Sequence, residues 1–269
     1  MKTIPIGIYY EGYKDVVVET HINQLWTPQS DLEEEIEAIW TKKIETNPTT
    51  FNGDMVRVIN SRLEDDVVVL NTELTNYKQF IGTINQQSMD RRANPLYICA
   101  NVITKDRKYV FGLRANCMRG NKQYNISSGS VDINTDFEHG LPSCDKAILR
   151  ETYEEFCISP KQIKSKDHFM YYHLPNELTG TFLYEINLNV SSTKMKQIFD
   201  KTIKQEIRAG LRNEDDLEFT ELKFVDSDLD SLQTELELDC YRPHVVGLLT
   251  ELYRRKVNFK HITSCFFGL

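Results

Sequence analysis

Segments with the two-residue period of strands alternate along this chain with segments that have the 3.6-residue period of helices. Residues 15–22 alternate as a strand does, whereas "SDLEEEIEAIWTKKIETNP" (30–48) carries a helical apolar stripe, with Asp31 expected as its N-cap. The 269 residues are enough to bury a substantial core. Helices and strands mixed in this order predict an α+β fold of the α/β/α sandwich type.

The order of the segments predicts two regions. Residues 1–90 read as a small N-terminal α/β module, and "MDRRANPL" (89–96) reads as the joint that follows it. Residues 91–269 form the second region, which opens with a strand hairpin, "LYICANVITKDRKYVFGLR", turning at Asp106. Further strands are predicted at 169–178, 180–190 and 217–225, with helices at 192–208 and 244–256.

Charge and cysteine spacing exclude several classes of function. The net charge is −8 and no Lys/Arg-rich block is present, which argues against a nucleic-acid partner. An anionic substrate would therefore need local cations, from arginine, lysine or a metal. The six cysteines contain no Cys-x-x-Cys pair, and no long apolar segment predicts a signal peptide or a membrane span. We expect a cytoplasmic or nuclear protein that is not bound to a membrane.

The segment "AILRETYEEFCISP" (147–160) carries the pattern with the most chemical content. On a helix Glu151, Glu154 and Glu155 lie at i, i+3 and i+4 and therefore share one face. Three carboxylates on one face repel each other unless solvent or a cation relieves the charge. Their oxygen atoms suit Mg²⁺ or Mn²⁺, which bind phosphates together with a substrate. Arg150, one step round the helix, can orient a carboxylate or contact phosphate.

An ordinary solvated helix face is the alternative interpretation of the same pattern. The chain has 40 acidic residues in 269, so acidic helix faces are expected elsewhere as well. The side of the helix that faces the core is predicted to carry Ile148, Leu149, Tyr153 and Phe156. This assignment leaves the three glutamates as a separate stripe under either interpretation.

"RETYEEFCI" resembles the second half of the Nudix box, Gly-x5-Glu-x7-Arg-Glu-U-x-Glu-Glu-x-Gly-U, in which U is apolar. Arg150, the three glutamates and Ile158 match, whereas Thr152 is a poor U and Cys157 replaces the second glycine. Gly129 resembles the first glycine, but it lies farther from Arg150 than the pattern places it. The position of the first glutamate holds Pro142, so one acid is missing.

The resemblance extends over nearly the whole chain. "NVITKDRKYVFGLR" is similar to the hairpin that precedes the Nudix box, with Arg114 at its exit. "EEEIEAIWTKKIETNPTTFNGDMVRV" and "ELTNYKQFIGTIN" resemble the additional N-terminal module of the Nudix-type UDP-glucose pyrophosphatases. That branch also tolerates an insertion inside the box and a residue other than glycine at its end.

The resemblance implies a Nudix α/β/α sandwich with a mixed sheet, on which the N-terminal module packs. It implies Mg²⁺-dependent hydrolysis of a nucleoside diphosphate sugar, with UDP-glucose or UDP-galactose giving UMP and a sugar 1-phosphate. Glu154 and Glu155 would be the primary metal ligands. Glu151 would bind a further metal or hold the attacking water, and Arg150 would position a carboxylate. Arg114 and Gly129 would lie at the substrate.

Two other functions remain alternatives: a Nudix-fold binding protein with a degenerate box and no catalysis, and a pyrophosphatase for another nucleoside diphosphate derivative. Glu218, in "NEDDLEFTEL" with Asp215 and Asp216, is a further candidate for a metal ligand or base, against a solvated turn. No pattern in the sequence specifies an oligomeric state. Side chains for which a structural or surface role is expected are His139, His168, His173, His244, Tyr171, Tyr172, Arg119 and Lys122.

Overall fold

The computed structural model describes residues 8–11, 13–48, 50–86, 88–115, 122–173, 180–213 and 217–267. The helices in these ranges are α1 (Ser30–Thr46), α2 (Tyr77–Thr83), α3 (Cys144–Phe156), α4 (Ser192–Arg208), α5 (Leu229–Glu237) and α6 (Pro243–Phe267). The strands are β1 (Ile8–Glu11), β2 (Asp15–Leu25), β3 (Asp54–Glu64), β4 (Val67–Asn76), β5 (Leu96–Ile103), β6 (Lys108–Arg114), β7 (Tyr124–Asn125), β8 (Ser127–Ser130), β9 (Phe137–Glu138), β10 (Leu141–Pro142), β11 (Ile163–His173), β12 (Gly180–Leu188) and β13 (Phe219–Asp226).

The large sheet has the strand order β1-β11-β12-β5-β6-β13, and the short strands β7 and β8 pair with β6 and β5. Strands β5 and β12 run parallel, and the other neighbours in this sheet are antiparallel. The sheet is therefore mixed. The hairpin predicted at Asp106 is present as β5 and β6.

Alternate side chains of the central strands enter two separate cores, as the two-residue period of a strand requires. Ile98 and Phe182 belong to the core on the side of α3 and α4, whereas Cys99 and Leu183 belong to the core on the side of α5 and α6. Helices thus cover both faces of a mixed sheet, which confirms the predicted α+β fold. Within the described residues, no helix is both long and apolar enough to cross a membrane.

A second, three-stranded sheet has the order β2-β4-β3, with α1 and α2 beside it in the chain. The two helices approach so closely that a Cβ on Gly82 would lie 2.9 Å from the Cα of Ile36. The predicted N-cap at Asp31 is wrong: Gln29 occupies that position without a side-chain cap, and the Asp31 carboxylate instead accepts a hydrogen bond from Arg91 at 2.6 Å. The cation outcompetes the free amides of the helix end because its bond to the carboxylate is charge-assisted.

The two predicted regions share one continuous core. Val58 of β3 and Val68 of β4 pack in the same cluster as Leu96 and Tyr171 of the large sheet. Strand β1 pairs with β11, so the first described residues extend the large sheet rather than the small one. The division between residues 1–90 and 91–269 remains a prediction.

A buried ion pair connects the small sheet to the segment that joins the regions. Arg57 on β3 contacts Glu73 on β4 at 2.5 Å, and both side chains are less than 10% exposed. The guanidinium also donates to the carbonyl of Arg92 at 2.8 Å and lies 4.6 Å from the ring centroid of Trp26. The charge of Arg57 is therefore compensated by a carboxylate, a carbonyl and an aromatic ring where the second region begins.

Removing one member of this pair is expected to destabilise the fold strongly. Arg57→Met leaves the Glu73 carboxylate buried without its counter-ion, which should lower the free energy of unfolding by about 3–5 kcal/mol. Arg57→Met combined with Glu73→Leu removes both charges and should recover most of that loss. Urea unfolding followed by circular dichroism measures both variants. If the single and double variants were equally stable, the unpaired carboxylate of Glu73 would not be the cause of the stability lost in Arg57→Met.

Candidate active site

Helix α3 carries the predicted glutamates, and local interactions fix both of its ends. The hydroxyl of Ser143 accepts a hydrogen bond from the amide of Lys146 at 3.2 Å, which caps the first turn. The helix ends at Cys157, which adopts a left-handed conformation with φ of 59°. Glycine usually occupies a left-handed position at a helix end, and the Nudix box pattern also has glycine at the position of Cys157. The backbone conformation is thus retained although the residue differs.

The three glutamates do not share one environment. Glu151 and Glu155 are 8% and 4% exposed, so this pair, one helical turn apart, faces the protein. The side chain of Glu154 is 51% exposed, and its carboxylate accepts a hydrogen bond from Arg150. The expectation that Tyr153 faces the core is wrong, since its side chain is 45% exposed. Thr152 is buried in its place, and its hydroxyl bonds back to the carbonyl of Ile148 at 2.8 Å.

Strand β8 provides the surface against which the buried carboxylates lie. The backbone amide of Ser128 donates a hydrogen bond to Oε2 of Glu155 at 2.7 Å. The other oxygen, Oε1 of Glu155, is buried and makes no geometrically formed hydrogen bond among the described residues, although the side chain of Ser127 lies near enough to lower the pKa of this carboxyl. A buried carboxylate oxygen without a partner is unfavourable in an otherwise well-packed protein, and it marks a point where an electropositive group is missing.

Gly129 is required by the position of Glu151. A Cβ placed on Gly129 would lie 1.9 Å from Oε1 of Glu151, far inside contact distance. The glycine therefore lets β8 approach α3 and leaves room for the carboxylate. This observation gives Gly129 a role in the site through Glu151, whereas the predicted contact with substrate is a proposal.

Arg150 holds the carboxylates in place through an acid that the sequence analysis missed. Its guanidinium contacts both oxygens of Asp136, with Nε–Oδ1 and Nη2–Oδ2 distances of 3.0 and 2.7 Å. The same guanidinium donates to Glu151 at 2.8 Å and to Glu154 at 2.9 Å. Asp136 is 1% exposed and lies in the loop before β9. Asp136 is therefore an acidic residue next to Arg150 in a chain that has Pro142 at the position of the first glutamate of the Nudix box pattern.

Glu218 lies close enough to affect both buried carboxylates. The pKa of Glu151 is raised to about 8: burial is the main cause, Arg150 opposes it, and the charges of Glu154 and Glu218 act in the same direction as burial. Burial also raises the pKa of Glu155 well above its usual range, and Glu218 and Glu151 contribute in the same direction. The structure therefore brings the predicted late carboxylate of Glu218 to the helix. Asp215 and Asp216, its predicted neighbours, lie outside the described residues.

The donor set suits a hard divalent cation. Within the described ranges, no three side chains of His, Cys, Asp or Glu already form a ligand cage, partly because Glu154 is turned to Arg150. However, the unpartnered Oε1 of Glu155 and the mutual repulsion of Glu151, Glu155 and Glu218 are the features that a cation would relieve. Carboxylate oxygens are the ligands that Mg²⁺ and Mn²⁺ prefer.

The other residues considered in the sequence analysis lie at different places in the structure. Arg114 ends β6 and is partly buried beside the site. Tyr171 is fully buried in the core, as expected. Lys122 is exposed, whereas Arg119 lies outside the described residues. His244 is a site neighbour that sequence spacing did not reveal, because its partner Asn125 is far away in the chain.

The raised pKa of Glu151 predicts a dependence of stability on pH in the absence of metal. Its value of about 8 in the folded protein exceeds the ordinary 4.5, so the folded state binds this proton more tightly. The resulting stabilisation is complete below pH 4.5 and is lost as the pH rises to 8, by roughly 3–5 kcal/mol. Urea unfolding in EDTA at pH 5.5 and 8.5 measures the difference.

Glu151→Gln should reduce this pH dependence, because the amide does not titrate. Glu237→Gln, an exposed change on α5, should leave it as in the original protein. If the original protein and Glu151→Gln lost the same stability between the two pH values, the titrating group would lie elsewhere.

No protein-family model matches this sequence, and no curated protein is similar to it. Among solved structures, the chain is similar to a MutT protein from Methanosarcina mazei (13% identity, 60% of this chain and 94% of that chain, TM-score 0.34). It is also similar to a pyrophosphohydrolase from Bacillus subtilis (11% identity, 61% and 83%, TM-score 0.36) and to a Nudix hydrolase from Nitrosomonas europaea (15% identity, 61% and 90%, TM-score 0.33). Likeness at these identities and TM-scores assigns neither a family nor an activity.

Proposed function

We propose that this protein is a Nudix-type pyrophosphohydrolase that cleaves the diphosphate bond of a nucleoside diphosphate derivative with the help of Mg²⁺ or Mn²⁺. One observation carries the proposal. Glu151 and Glu155 are buried one turn apart on α3, with an unpartnered carboxylate oxygen and the charge of Glu218 nearby. A solvated acidic face would place these side chains in water, and it would leave no buried oxygen without a partner.

Glu151 and Glu155 would hold the cation, with Glu218 as a further oxygen donor. Glu154 is held by Arg150 and would join the ligands only by exchanging that contact. When bound, a divalent cation neutralises phosphate oxygens and activates water for attack on phosphorus. Arg150 keeps the Glu151 carboxylate oriented through its bond to Oε1, so Oε2 is the oxygen that remains for water or metal.

The environment of Glu151 also suits proton transfer. A carboxyl whose pKa is raised to about 8 by burial is a stronger base than an ordinary glutamate when it is ionised. Where Oε2 of Glu151 is not a ligand of the cation, it is therefore the atom that would accept the proton of the attacking water. The bound cation would lower this pKa, so the basicity in the working enzyme is set by both effects.

The finer proposal is that the substrate is a UDP-sugar, UDP-glucose or UDP-galactose, with UMP and a sugar 1-phosphate as products. The two N-terminal segments that resemble the UDP-glucose pyrophosphatases support it. They include most of α1 and all of α2, and Phe80 of α2 lies 6.3 Å from Tyr97 of β5, centroid to centroid. Burial raises the pKa of Tyr97, and the charges of Glu151 and Glu218 contribute, so this ring links the N-terminal helices to the carboxylates.

A panel of nucleoside diphosphate derivatives tests the reaction and the substrate together. Incubation with protein and Mg²⁺ should release a nucleoside monophosphate and a phosphorylated second product, identified by mass, with UDP-glucose or UDP-galactose turned over fastest. EDTA should abolish turnover, and added Mg²⁺ or Mn²⁺ should restore it. Turnover in excess chelator would exclude the metal mechanism, and binding without turnover by any derivative would favour a non-catalytic binding protein.

Glu155→Gln tests the cation site directly. The substitution keeps the size of the side chain but removes the charge, so turnover should fall by several hundred-fold, or roughly 3–4 kcal/mol in the barrier. The metal-free protein should be as stable as the original or more stable at pH 8, because a buried charge is removed. Steady-state kinetics and thermal unfolding in EDTA measure the two effects.

Glu237→Gln on the exposed face of α5 is the matched control, and its turnover should equal that of the original protein. Unchanged Mg²⁺-dependent turnover by Glu155→Gln would remove Glu155 from the site. The same result for Glu154→Gln would show only that Glu154 remains with Arg150 during the reaction.

A further inference from the structure

A cluster of positive charge lies beside the carboxylates, and the proposed function has not used it. Arg114 is the last residue of β6, and its partner in the ladder is Phe219 of β13. The next residue, Ala115, donates its amide to the carbonyl of Glu218 at 2.9 Å. The backbone of Arg114 is therefore one rung away from the backbone of Glu218, a candidate residue of the metal site.

The start of α6 brings a second arginine to the same place. The amide of Tyr124 donates to the carbonyl of Cys240 at 2.7 Å, and the amide of Arg242 donates to the carbonyl of Tyr124 at 3.1 Å. His244, in the first turn of α6, contacts Oδ1 of Asn125 through Nε2 at 2.6 Å. Three contacts thus hold residues 240–244 against β7, whose Asn125 pairs with Gly112 of β6.

The local charge at this place is positive although the chain carries a net charge of −8. Burial, together with the charges of Arg242 and Arg114, lowers the pKa of His244 to about 4. The imidazole is therefore neutral at pH 7. Nε of Arg114 is buried without a hydrogen-bond partner in the described part of the chain. A buried guanidinium nitrogen without an acceptor is as unfavourable as a buried carboxylate oxygen without a donor.

The cations and the carboxylates are connected through one short segment. Nδ2 of Asn125 donates to Oγ of Ser128 at 3.4 Å, and the amide of Ser128 donates to Glu155 at 2.7 Å. Because Oδ1 of Asn125 then acts as the acceptor, Nε2 of His244 is the donor in the contact between them. The site consequently has an acidic side on α3 and a basic side at the ends of β6 and α6.

We infer that Arg114 and Arg242 form an anion subsite for the phosphate group of the substrate that the carboxylate-held cation does not neutralise. The inference rests on the proposed function, since it divides a diphosphate between a metal on the acidic side and guanidinium groups on the basic side. Guanidinium groups match phosphate oxygens with paired hydrogen bonds. His244 is a positioning residue, because it ties the first turn of α6 to Asn125.

Binding of inorganic pyrophosphate and inorganic phosphate in EDTA tests the subsite without metal or turnover. Isothermal titration should show that the original protein binds pyrophosphate more tightly than phosphate. Arg114→Gln and Arg242→Gln should each weaken pyrophosphate binding at least tenfold, which corresponds to about 1.4 kcal/mol. Arg208→Gln, an exposed change in the last turn of α4, is the matched control and should bind as the original protein does.

Arg114→Lys addresses the risk that the glutamine variant does not fold. Lysine keeps the charge but not the paired hydrogen bonds, so its affinity for pyrophosphate should lie between those of the original protein and Arg114→Gln. In kinetics with Mg²⁺ and the best substrate, Arg114→Lys should raise KM more than it lowers kcat. Circular dichroism and thermal unfolding confirm that each variant is folded.

The outcomes separate this inference from the proposed function. Pyrophosphate binding that depends on both arginines, without hydrolysis of any derivative, would leave the subsite standing and remove the enzymatic proposal. Hydrolysis by a protein that does not bind pyrophosphate in EDTA, or whose folded arginine variants bind it as tightly as the original, would overturn the subsite alone.

Discussion

The contact between Arg150 and Asp136 is the interaction on which the candidate site depends. One guanidinium joins the loop before β9 to α3, and it also reaches Glu151, Glu154 and the carbonyl of Ser130 at 3.0 Å. Every contact brings a partial or full negative charge to one cation. Without it the loop would lose its attachment to the helix, and Glu151 would be buried beside other acids with no counter-charge.

This arrangement explains how an acidic site is tolerated inside a folded protein. The cation of Arg150 offsets part of the repulsion, and the amide of Ser128 satisfies one oxygen of Glu155. The rest of the repulsion is not offset on the acidic side, whereas the cations of Arg114 and Arg242 lie on the basic side. A metal diphosphate has the complementary distribution of charge. The departures from ideal packing therefore coincide with the places where ligand atoms are proposed to bind.

Local patterns predicted most elements, because caps, turns and periodicity act over a few residues. The hairpin that turns at Asp106 and the helix at 192–208 were both predicted. The partner of Arg150 was not, since Asp136 comes from a loop whose path depends on the whole fold. Asp31 and Tyr153 were assigned wrongly for the same reason. The carboxylate of Asp31 binds the distant Arg91, and the side chain of Tyr153 is 45% exposed, with its hydroxyl donating to Glu206 of α4.

The pairing of β1 with β11 has a consequence for the order in which the chain folds. Glu11 pairs in the ladder with Met170, which lies about 160 residues later in the chain, so this pairing is among the most non-local contacts in the sheet. Contacts of this kind form late because the intervening chain must first lose much of its freedom. During synthesis the first strand would leave the ribosome long before its partner exists. The N-terminal sheet would then begin to fold while the edge of the large sheet is still open.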